Sequence, residues 1–309
     1  MRVRVALFSD WLNLDERLRD VPEVELVDEL ADADAVVCNR LTADDTRGAR
    51  RLRLVQALSA GADSIERDAL PPGCALCNAY SHEDAIGEWA VLTMLTLTRH
   101  LLAYDRALRD GEWLRPPLER ELRGRTLGAV GYGHIARRTV ELVRPFGMEA
   151  AAVTRTPVGR TADGLRWLGG LNELDRLLSE ADVVLLALPL TGETERLIGR
   201  RELDLLGAEG YLLNPARGGL VDERALYEAL KERRIAGAAL DTWWRYPERR
   251  GERTAPSAFP FGELDNVVMT PHSSGHTEGT ERGRRELVVA QLLRLARGEP
   301  LENVVTVAR

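Results

Sequence analysis

The sequence lacks several features that would each assign it to a particular class of protein. None of its apolar runs approaches the ~20 residues of a transmembrane helix, so we expect no membrane partner. Its net charge is −7, which disfavours binding to phosphate backbones, so we expect no nucleic-acid partner. The N-terminus lacks the apolar core of a signal peptide and reads as a β-strand, which favours a cytoplasmic location. The composition is that of an ordinary soluble globular protein of about two domains.

Cysteine is scarce, and its odd count of three gives no paired disulfide framework. Cys74 and Cys77 have the C-x-x-C spacing of redox and zinc sites. The segment around them reads as a short strand, on which side chains three positions apart point to opposite faces. We therefore interpret both residues as buried thiols and expect no metal site.

Short apolar runs alternate with helical patterns, which predicts an α/β fold with parallel sheets covered by helices on both faces. The expected strands are Val3–Phe8, Val24–Val27, Ala35–Cys38, Leu54–Ala57, Ala75–Cys77, Thr126–Val130, Glu149–Thr154, Val183–Leu188, Tyr211–Asn214, Ala236–Asp241 and Val267–Thr270. A long apolar helix is expected at 86–108 and a terminal helix at about 278–297. With a complete nucleotide-binding unit in the middle, the terminal helix should pack onto the first domain and leave a cleft between two domains.

A glycine-rich turn follows the strand at Thr126–Val130 and begins a helical pattern. Gly131 suits the tight turn, and Gly133 lets backbone N–H groups approach a pyrophosphate at the positive helix N-terminus. Ala136 holds the third position, where only close packing of helix and strand is needed. The pattern predicts a dinucleotide site, while a purely structural glycine turn is the alternative from these residues alone.

Polar residues that directly follow strands are the next candidates, because ligands of open parallel sheets bind at the strands' carboxyl ends. Arg217 follows one such strand and His272 follows another. A guanidinium can hold carboxylate and carbonyl oxygens, and an imidazole can exchange the proton that accompanies a hydride. Taken singly, Arg217 is more simply interpreted as a surface residue, and His272 as a helix cap. Together, beside a dinucleotide turn, they favour reduction of a 2-keto acid.

Several blocks of the sequence resemble the D-isomer-specific 2-hydroxyacid dehydrogenases. They are LGAVGYGHIA (127–136), LPLTGETERLIG (188–199), NPARGGLVDERAL (214–226), AGAALDTWW (236–244) and TPHSSGHT (270–277), with shorter matches SAGADSIE (59–66) and GEWAV (87–91). The resemblance implies two doubly wound parallel-sheet domains. A Rossmann NAD(P)-binding domain of 93–278 would be inserted into a flavodoxin-like substrate domain of 1–92 and 279–309.

The resemblance also implies roles for individual residues. Arg217 would bind the substrate carboxylate and polarise its carbonyl, and His272 would be the acid/base. Backbone amides of the Ala60, Gly61 and Ala62 loop would complete the carboxylate site, and Tyr80 is a candidate to line the cleft. The residues expected along the cofactor are Gly131, Tyr132, Gly133, His134, Ile135, Leu188, Pro189, Thr191, Pro215, Ala216 and, facing the nicotinamide amide, Asp241. Members usually pair through the long helix, so 86–108 is the expected homodimer surface.

One departure from the family pattern concerns the partner of the catalytic histidine. Most members have the sequence Asp-x-Phe-x-x-Glu-Pro. In this chain the residue five positions after Asp241 is Tyr246, where those members have the glutamate. Losing an adjacent carboxylate lowers a histidine pKa by about 1–2 units. We therefore predict that His272 is mostly neutral at pH 7, which suits oxidation and handicaps reduction.

A neutral partner is compatible with catalysis, because formate dehydrogenases of this superfamily have glutamine there and a serine two residues after the histidine. Ser274 occupies that serine position here. Glu248, Glu83 and Asp84 are alternative carboxylates, although a role as solvated surface acids is the simpler interpretation. Trp243 and Trp244 either shape the substrate pocket or pack beneath it, and packing is favoured for at least one of them.

A second departure concerns the cofactor. NAD-preferring members carry an acid at the end of the second nucleotide-domain strand, whereas this chain has Thr154, Arg155 and Thr156. An arginine flanked by hydroxyls suits a 2′-phosphate, and Arg160 lies a few residues on. The sequence therefore favours NADP over NAD. The competing class is a non-catalytic, dinucleotide-sensing regulator on the same fold, as a resemblance to the C-terminal-binding-protein corepressors allows.

Overall fold

The computed structural model describes residues 2–8, 12–115, 118–156, 164–249 and 251–308. Their contacts divide the chain into two compact units, one of 1–81 with 277–309 and one of 82–276. The first boundary lies before the predicted one at 92/93, because the helix Glu83–Thr98 packs on elements of the second unit. The substrate-binding and nucleotide-binding roles of the two units stay predictions.

The helices and strands agree with the alternation read from the sequence. The strands are β1 (Val3–Leu7), β2 (Val24–Val27), β3 (Ala35–Cys38), β4 (Leu54–Ala57), β5 (Ala75–Cys77), β6 (Thr126–Val130), β7 (Glu149–Thr154), β8 (Leu168–Gly170), β9 (Val183–Leu186), β10 (Tyr211–Asn214), β11 (Gly237–Leu240), β12 (Val267–Met269) and β13 (Val304–Val307). The helices are α1 (Leu14–Arg19), α2 (Glu83–Thr98), α3 (Leu101–Arg109), α4 (His134–Val143), α5 (Leu174–Glu180), α6 (Arg200–Leu206), α7 (Glu223–Lys231) and α8 (Glu278–Arg297). The α/β fold class is confirmed.

The first unit is built on a sheet of order β13-β5-β4-β3-β1-β2. Its first five strands are parallel and follow the flavodoxin-like order, and β13 adds an antiparallel edge. Among the described residues, the connections β2–β3 and β4–β5 contain short 3-10 turns instead of the α-helices expected on both faces. Thr277 caps the start of α8 by accepting from the N–H of Thr280, and Gly298 ends it with φ 69°. Val288 and Leu292 of α8 pack against Val3 and its neighbours.

The second unit is built on a parallel sheet of order β12-β11-β10-β9-β6-β7-β8. This is the Rossmann order, in which strand order reverses between β6 and β9 and opens a crevice at the carboxyl ends. Leu127 of β6 lies between Ala150 of β7 and Val183 of β9, so the glycine turn emerges at that crevice. The strands read as continuous apolar runs because both faces are buried.

Two expectations about the second unit need correction. The single helix expected at 86–108 is two helices, α2 and α3, separated at His100, which has a left-handed φ of 47°. A left-handed residue cannot continue an α-helix, so the chain changes direction there. The strand β8 was also not expected, because its Leu-Gly-Gly sequence has little β-propensity.

The prediction that Cys74 and Cys77 are buried thiols is confirmed. All three cysteines are free and buried, and Cys74 and Cys77 pack into different apolar clusters on opposite faces of the first sheet. Burial raises the pKa of Cys38 and Cys74 to about 12 and that of Cys77 to about 11. They are therefore protonated and unreactive at neutral pH. Within the described ranges, no helix has the length and apolar character to span a membrane.

Candidate active site

Arg217 is positioned by the turn that follows β10. Asn214 is completely buried, and its side-chain amide donates to the carbonyl of Arg217 (2.8 Å) while its oxygen accepts from the N–H of Ala216 (3.1 Å). Gly218 is required next, because a Cβ there would lie 2.5 Å from the carbonyl of Trp243. The Asn-x-x-Arg-Gly block therefore fixes the backbone on both sides of Arg217, whose side chain is half-buried.

The segment that carries His272 is bound by a buried carboxylate at the end of a neighbouring strand. Asp241 follows β11 and is 0% exposed. One of its oxygens accepts from the Thr270 hydroxyl (2.5 Å) and the N–H of Ser273 (2.8 Å). The other accepts from the N–H (3.0 Å) and the hydroxyl (2.5 Å) of Ser274. These four hydrogen bonds tie the end of β11 to the segment on either side of His272, which has φ 57°.

Tyr246 lies against the imidazole, as the sequence frame predicts. The two ring centroids are 5.6 Å apart with the planes tilted by 51°. The phenol oxygen accepts from the N–H of Trp243 (3.1 Å). Desolvation is the main cause that raises the pKa of Tyr246, so the phenol stays neutral near pH 7.

The pKa of His272 is lowered from its ordinary value of 6.5. Desolvation of the ring is the largest cause, and it acts even though part of the residue faces solvent. The charge of Asp241 opposes this shift, and that of Arg217 adds to it. The direction agrees with the prediction that His272 is mostly neutral at pH 7.

The three alternative carboxylates, Glu83, Asp84 and Glu248, are not among the charges that shift the pKa of His272. Asp84 pairs with Arg138 at 2.5 Å. Glu248 is exposed in the loop after Tyr246, and Glu83 lies in the first turn of α2. Ser274 is not a polar partner of His272 either, because its hydroxyl donates to the carboxylate of Asp241.

Trp243 and Trp244 both have packing roles. The indole N–H of Trp243 donates to the carbonyl of Thr270 (2.9 Å), and that of Trp244 donates to the carbonyl of Val221 (3.1 Å). Trp244 also stacks on Phe261, with centroids 5.6 Å apart. These contacts support the loop that carries Tyr246.

The glycine turn has the geometry that a dinucleotide requires. Gly131 has φ 92°, and a Cβ there would lie 2.3 Å from the carbonyl oxygen of Ala187, so only glycine fits. At Gly133 a Cβ would meet nothing within 4 Å, which leaves open space in front of the first turn of α4. Ala136 is completely buried and packs against alanines of β6 and β7. Open space at a helix N-terminus fits a pyrophosphate, so the residues present suit a dinucleotide cofactor.

The other predicted cofactor residues lie at or just beyond the carboxyl ends of β6, β7, β9 and β10. They are Tyr132, His134, Ile135, Thr154, Arg155, Thr156, Leu188, Pro189, Thr191, Pro215 and Ala216. Thr154 ends β7 and is half-buried, while Arg155 and Thr156 are exposed. Arg160 lies outside the described residues. Strand β7, whose carboxyl end has no acidic residue, is the neighbour of β6, the strand that the glycine turn follows.

The predicted substrate residues of the first unit are near one another. Ala60, Gly61 and Ala62 follow β4, and Tyr80 follows β5. Asn78 joins the two loops, because its side-chain amide donates to the carbonyl of Ala60 (2.9 Å) and to the hydroxyl of Tyr80 (3.4 Å). The structure thus groups these four candidates within their own unit.

Sequence reasoning missed three residues that organise these loops, namely Asn78, Asn214 and Thr270. Each is a polar residue just after or at the end of a strand, and each binds backbone or side-chain groups of the following loop. A polar residue that closes an apolar run was the available signal.

Comparisons with known proteins agree with the fold of the second unit. The model of the D-isomer specific 2-hydroxyacid dehydrogenase NAD-binding domain matches residues 91–274, more than half of the chain. The chain is similar to glyoxylate reductase from Thermococcus gammatolerans, with 33% identity over 294 residues that cover 91% of this chain and 85% of the relative.

Two further comparisons are more limited in what they support. D-3-phosphoglycerate dehydrogenase from Methanocaldococcus jannaschii is 34% identical over 289 residues, which cover 91% of this chain but only 53% of that relative, about half its length. The NAD-complexed D-isomer specific 2-hydroxyacid dehydrogenase from Lactobacillus delbrueckii ssp. bulgaricus has a TM-score of 0.82 at 24% identity, covering 98% and 100% of the two chains. That likeness supports the fold alone.

Proposed function

Because the chain belongs to the D-isomer-specific 2-hydroxyacid dehydrogenase family, which carries out NAD-dependent oxidoreduction of 2-hydroxy and 2-keto acids, we propose that Arg217 and His272 are its catalytic residues. The observation that carries this proposal is that Arg217 follows β10 and His272 follows β12, the two strands on either side of β11. Arg217 and Asp241 are the two charges that act on His272, and Tyr246 lies against its ring. The same edge of the sheet carries the glycine turn.

Each residue of the site has a defined task in the proposed mechanism. The guanidinium of Arg217 holds the substrate carboxylate and the oxygen on C2, which orients C2 and polarises its bond to oxygen. A nicotinamide dinucleotide bound at the glycine turn would supply the hydride chemistry at C2. His272 removes the hydroxyl proton during oxidation and returns it during reduction.

The charge state of His272 favours the oxidation of a 2-hydroxy acid at neutral pH. Its pKa lies below 6.5, so the imidazole is mainly neutral and able to accept a proton at pH 7. Reduction needs the imidazolium, whose population falls as pH rises through that pKa. We therefore expect reduction to be fastest in mildly acidic solution and oxidation to increase as the pH rises.

The substrate proposed first is a small, unphosphorylated acid. The loops 59–63 and 78–84 contain no lysine or arginine that would bind a phosphate. Glyoxylate and pyruvate, assayed with NADPH and NADH from about pH 5 to 9, test this proposal. Saturable turnover of at least one of them is expected. Turnover of only phosphorylated acids would contradict the substrate assignment.

We propose NADP as the preferred cofactor, supported by the end of β7, where Arg155 stands between Thr154 and Thr156 with no acid. A charge-assisted hydrogen bond to the 2′-phosphate contributes about 1.5–3 kcal/mol, so KM should be roughly tenfold or more lower for NADPH than for NADH. Arg155→Ala should remove this difference. Arg166→Ala is the matched control, because Arg166 pairs with Glu149 at the other end of β7. A lower wild-type KM for NADH would contradict the proposal.

We also propose that the chain forms a homodimer through α2 and α3. These helices expose leucines at 92 (60%), 101 (54%), 102 (48%) and 108 (57%), an apolar surface that water disfavours. Sedimentation of the wild-type protein should give twice the chain mass of 34.3 kDa. The double variant Leu92→Asp/Leu108→Asp should sediment as a monomer, because it buries two charges in the interface. A monomeric wild-type protein at micromolar concentration would contradict this.

A further inference from the structure

We propose that the site at Arg217 and His272 also reduces 2-imino acids, in which a C=N bond takes the place of the C=O bond of a 2-keto acid. The proposal rests on the proposed function, because it uses the same dinucleotide and the same two side chains. It goes beyond that function because the product, a 2-amino acid, belongs to a different chemical class from a 2-hydroxy acid.

The first argument is the neutral side chain that lies against the imidazole. The rings of Tyr246 and His272 are 5.6 Å apart between centroids, and the phenol oxygen accepts from the N–H of Trp243 (3.1 Å). Desolvation raises the pKa of this phenol, so it is a weaker acid than an ordinary tyrosine. A phenol of this kind neither keeps the imidazole protonated, as a carboxylate would, nor replaces it as a proton donor.

The second argument is the balance of charges around the imidazole. Burial of the ring lowers the pKa of His272, and the charge of Asp241 opposes this shift while that of Arg217 adds to it. Three other acids of the same unit do not shift this pKa, namely Glu83, Asp84 and Glu248. A solution at pH 8 is about 1.5 pH units or more above that pKa, so fewer than about 3% of the molecules hold the imidazolium. Reduction of a 2-keto acid therefore lacks its proton donor in mildly basic solution.

The third argument is that a 2-imino acid brings the missing proton with it. An imine nitrogen is much more basic than a carbonyl oxygen, so a substantial fraction of a 2-imino acid is the iminium in neutral water. C2 of the iminium accepts the hydride from the reduced dinucleotide, which is thereby oxidised. The π electrons of the C=N bond become the lone pair of the amine nitrogen. His272 gives up no proton in this step, and the amine takes its further proton from water.

The fourth argument is that the same neutral groups suit the binding of an iminium cation. A neutral imidazole has one nitrogen that accepts a hydrogen bond, whereas an imidazolium only donates and would repel the cation. Tyr246 is 47% exposed beside the imidazole, and aromatic rings attract cations. Arg217 would bind the carboxylate of both kinds of substrate. The features that handicap reduction of a 2-keto acid therefore favour reduction of a 2-imino acid.

Pyruvate assayed with NADPH and NADH in excess methylamine tests the proposal, because pyruvate and methylamine form the N-methyl imine in solution. Trimethylamine is the matched control, since it has a similar charge but no N–H with which to form an imine. At about pH 8 we expect at least about tenfold faster oxidation of the dinucleotide with methylamine, because only the ketone reaction depends on the scarce imidazolium. N-methylalanine, identified by mass spectrometry, should be the main product.

The outcomes of this assay separate the inference from the proposed function. Equal rates with the two amines, with lactate as the only product, would overturn the inference and leave the proposed function standing. If the protein oxidises neither dinucleotide with any 2-keto acid in either amine, both fail.

Tyr246→Glu provides a second readout, which a general loss of activity would not change. The added carboxylate should protonate His272, which supplies the ketone reaction with its proton and removes the acceptor for the iminium N–H. The ratio of imine to ketone reduction at about pH 8 should fall at least about tenfold, because an opposite charge raises a histidine pKa by about 1–3 units. In Tyr246→Gln, which adds no charge, this ratio should stay close to that of the wild-type protein. An unchanged ratio in Tyr246→Glu would overturn the inference.

A titration without substrate or dinucleotide tests the charge state on which the inference depends. The imidazole proton resonances of His272 are identified by their absence from the NMR spectrum of His272→Ala. We expect them to titrate with a pKa below 6.5 in the wild-type protein. A pKa above 7 would overturn the inference, even if Tyr246→Glu failed to fold.

Discussion

Replacing Arg217 by alanine is expected to lower kcat/KM for a 2-keto acid by about 10²- to 10³-fold. Truncating one partner of a desolvated, hydrogen-bonded charge pair costs about 2–5 kcal/mol. The half-buried guanidinium is the cation proposed to meet the substrate carboxylate. Steady-state kinetics should show most of the loss in KM, because the carboxylate is bound equally before and during the reaction. Arg217→Lys should recover only part of it, since an ammonium lacks the planar fork.

Replacing His272 by alanine should also impair the reaction, but through kcat, whereas Arg217→Ala acts mainly through KM. General acid–base catalysis contributes about 10²–10⁴-fold, so kcat should fall by that factor while substrate KM changes little. The matched control is Arg47→Ala, an exposed arginine of the first unit whose ion pair with Asp44 lies on the surface. This control should keep wild-type kinetics. If both Arg217→Ala and His272→Ala retained wild-type kcat/KM, the proposed catalytic residues would be wrong.

Tyr246→Glu is the second substitution with a large expected effect. It introduces a carboxylate at the position that lies against the imidazole, 5.6 Å between ring centroids in the wild-type protein. An opposite charge at this range raises a histidine pKa by about 1–3 units. The pH above which the reduction rate falls should therefore move upward by that amount. At pH 7 the variant should reduce 2-keto acids roughly tenfold faster than the wild-type protein and oxidise 2-hydroxy acids more slowly.

Tyr246→Gln separates charge from shape in this experiment. Glutamine has the size of glutamate without the charge, so its pH profile should stay close to that of the wild-type protein. A shift in Tyr246→Gln as large as that in Tyr246→Glu would show that packing, not charge, sets the pKa of His272. A wild-type reduction profile with an apparent pKa at or above 7 would contradict the neutral state of His272 directly.

The sequence predicted helices and strands correctly where neighbouring residues alone determine the local structure. Continuous apolar runs predicted the parallel strands, and the terminal helix expected at about 278–297 is α8 (Glu278–Arg297). The break at His100 was not predictable, because no glycine or proline interrupts the apolar pattern between α2 and α3. The edge strand β13 was also missed, because its pairing with β5 is a contact between distant parts of the chain.

In the candidate site, too, features set by local sequence were predictable and contacts between distant residues were not. Arg217 and His272 were predicted as candidates because polar residues that follow a strand are visible in the sequence. The four hydrogen bonds of Asp241 were not predictable, since their donors lie about thirty residues further along the chain. A family pattern assigned that carboxylate to the cofactor, and the structure adds that it is completely buried.

Deuterium transfer from the cofactor to the substrate tests the central claim most directly. The protein is incubated with pyruvate and NADPH carrying deuterium at the transferable position of C4, at about pH 6. We predict D-lactate with deuterium at C2, formed by the wild-type protein and at least 100-fold more slowly by His272→Ala. A protein that binds the dinucleotide but transfers no deuterium to pyruvate or to glyoxylate, from about pH 5 to 9, would contradict the account. That result would instead identify a non-catalytic dinucleotide sensor.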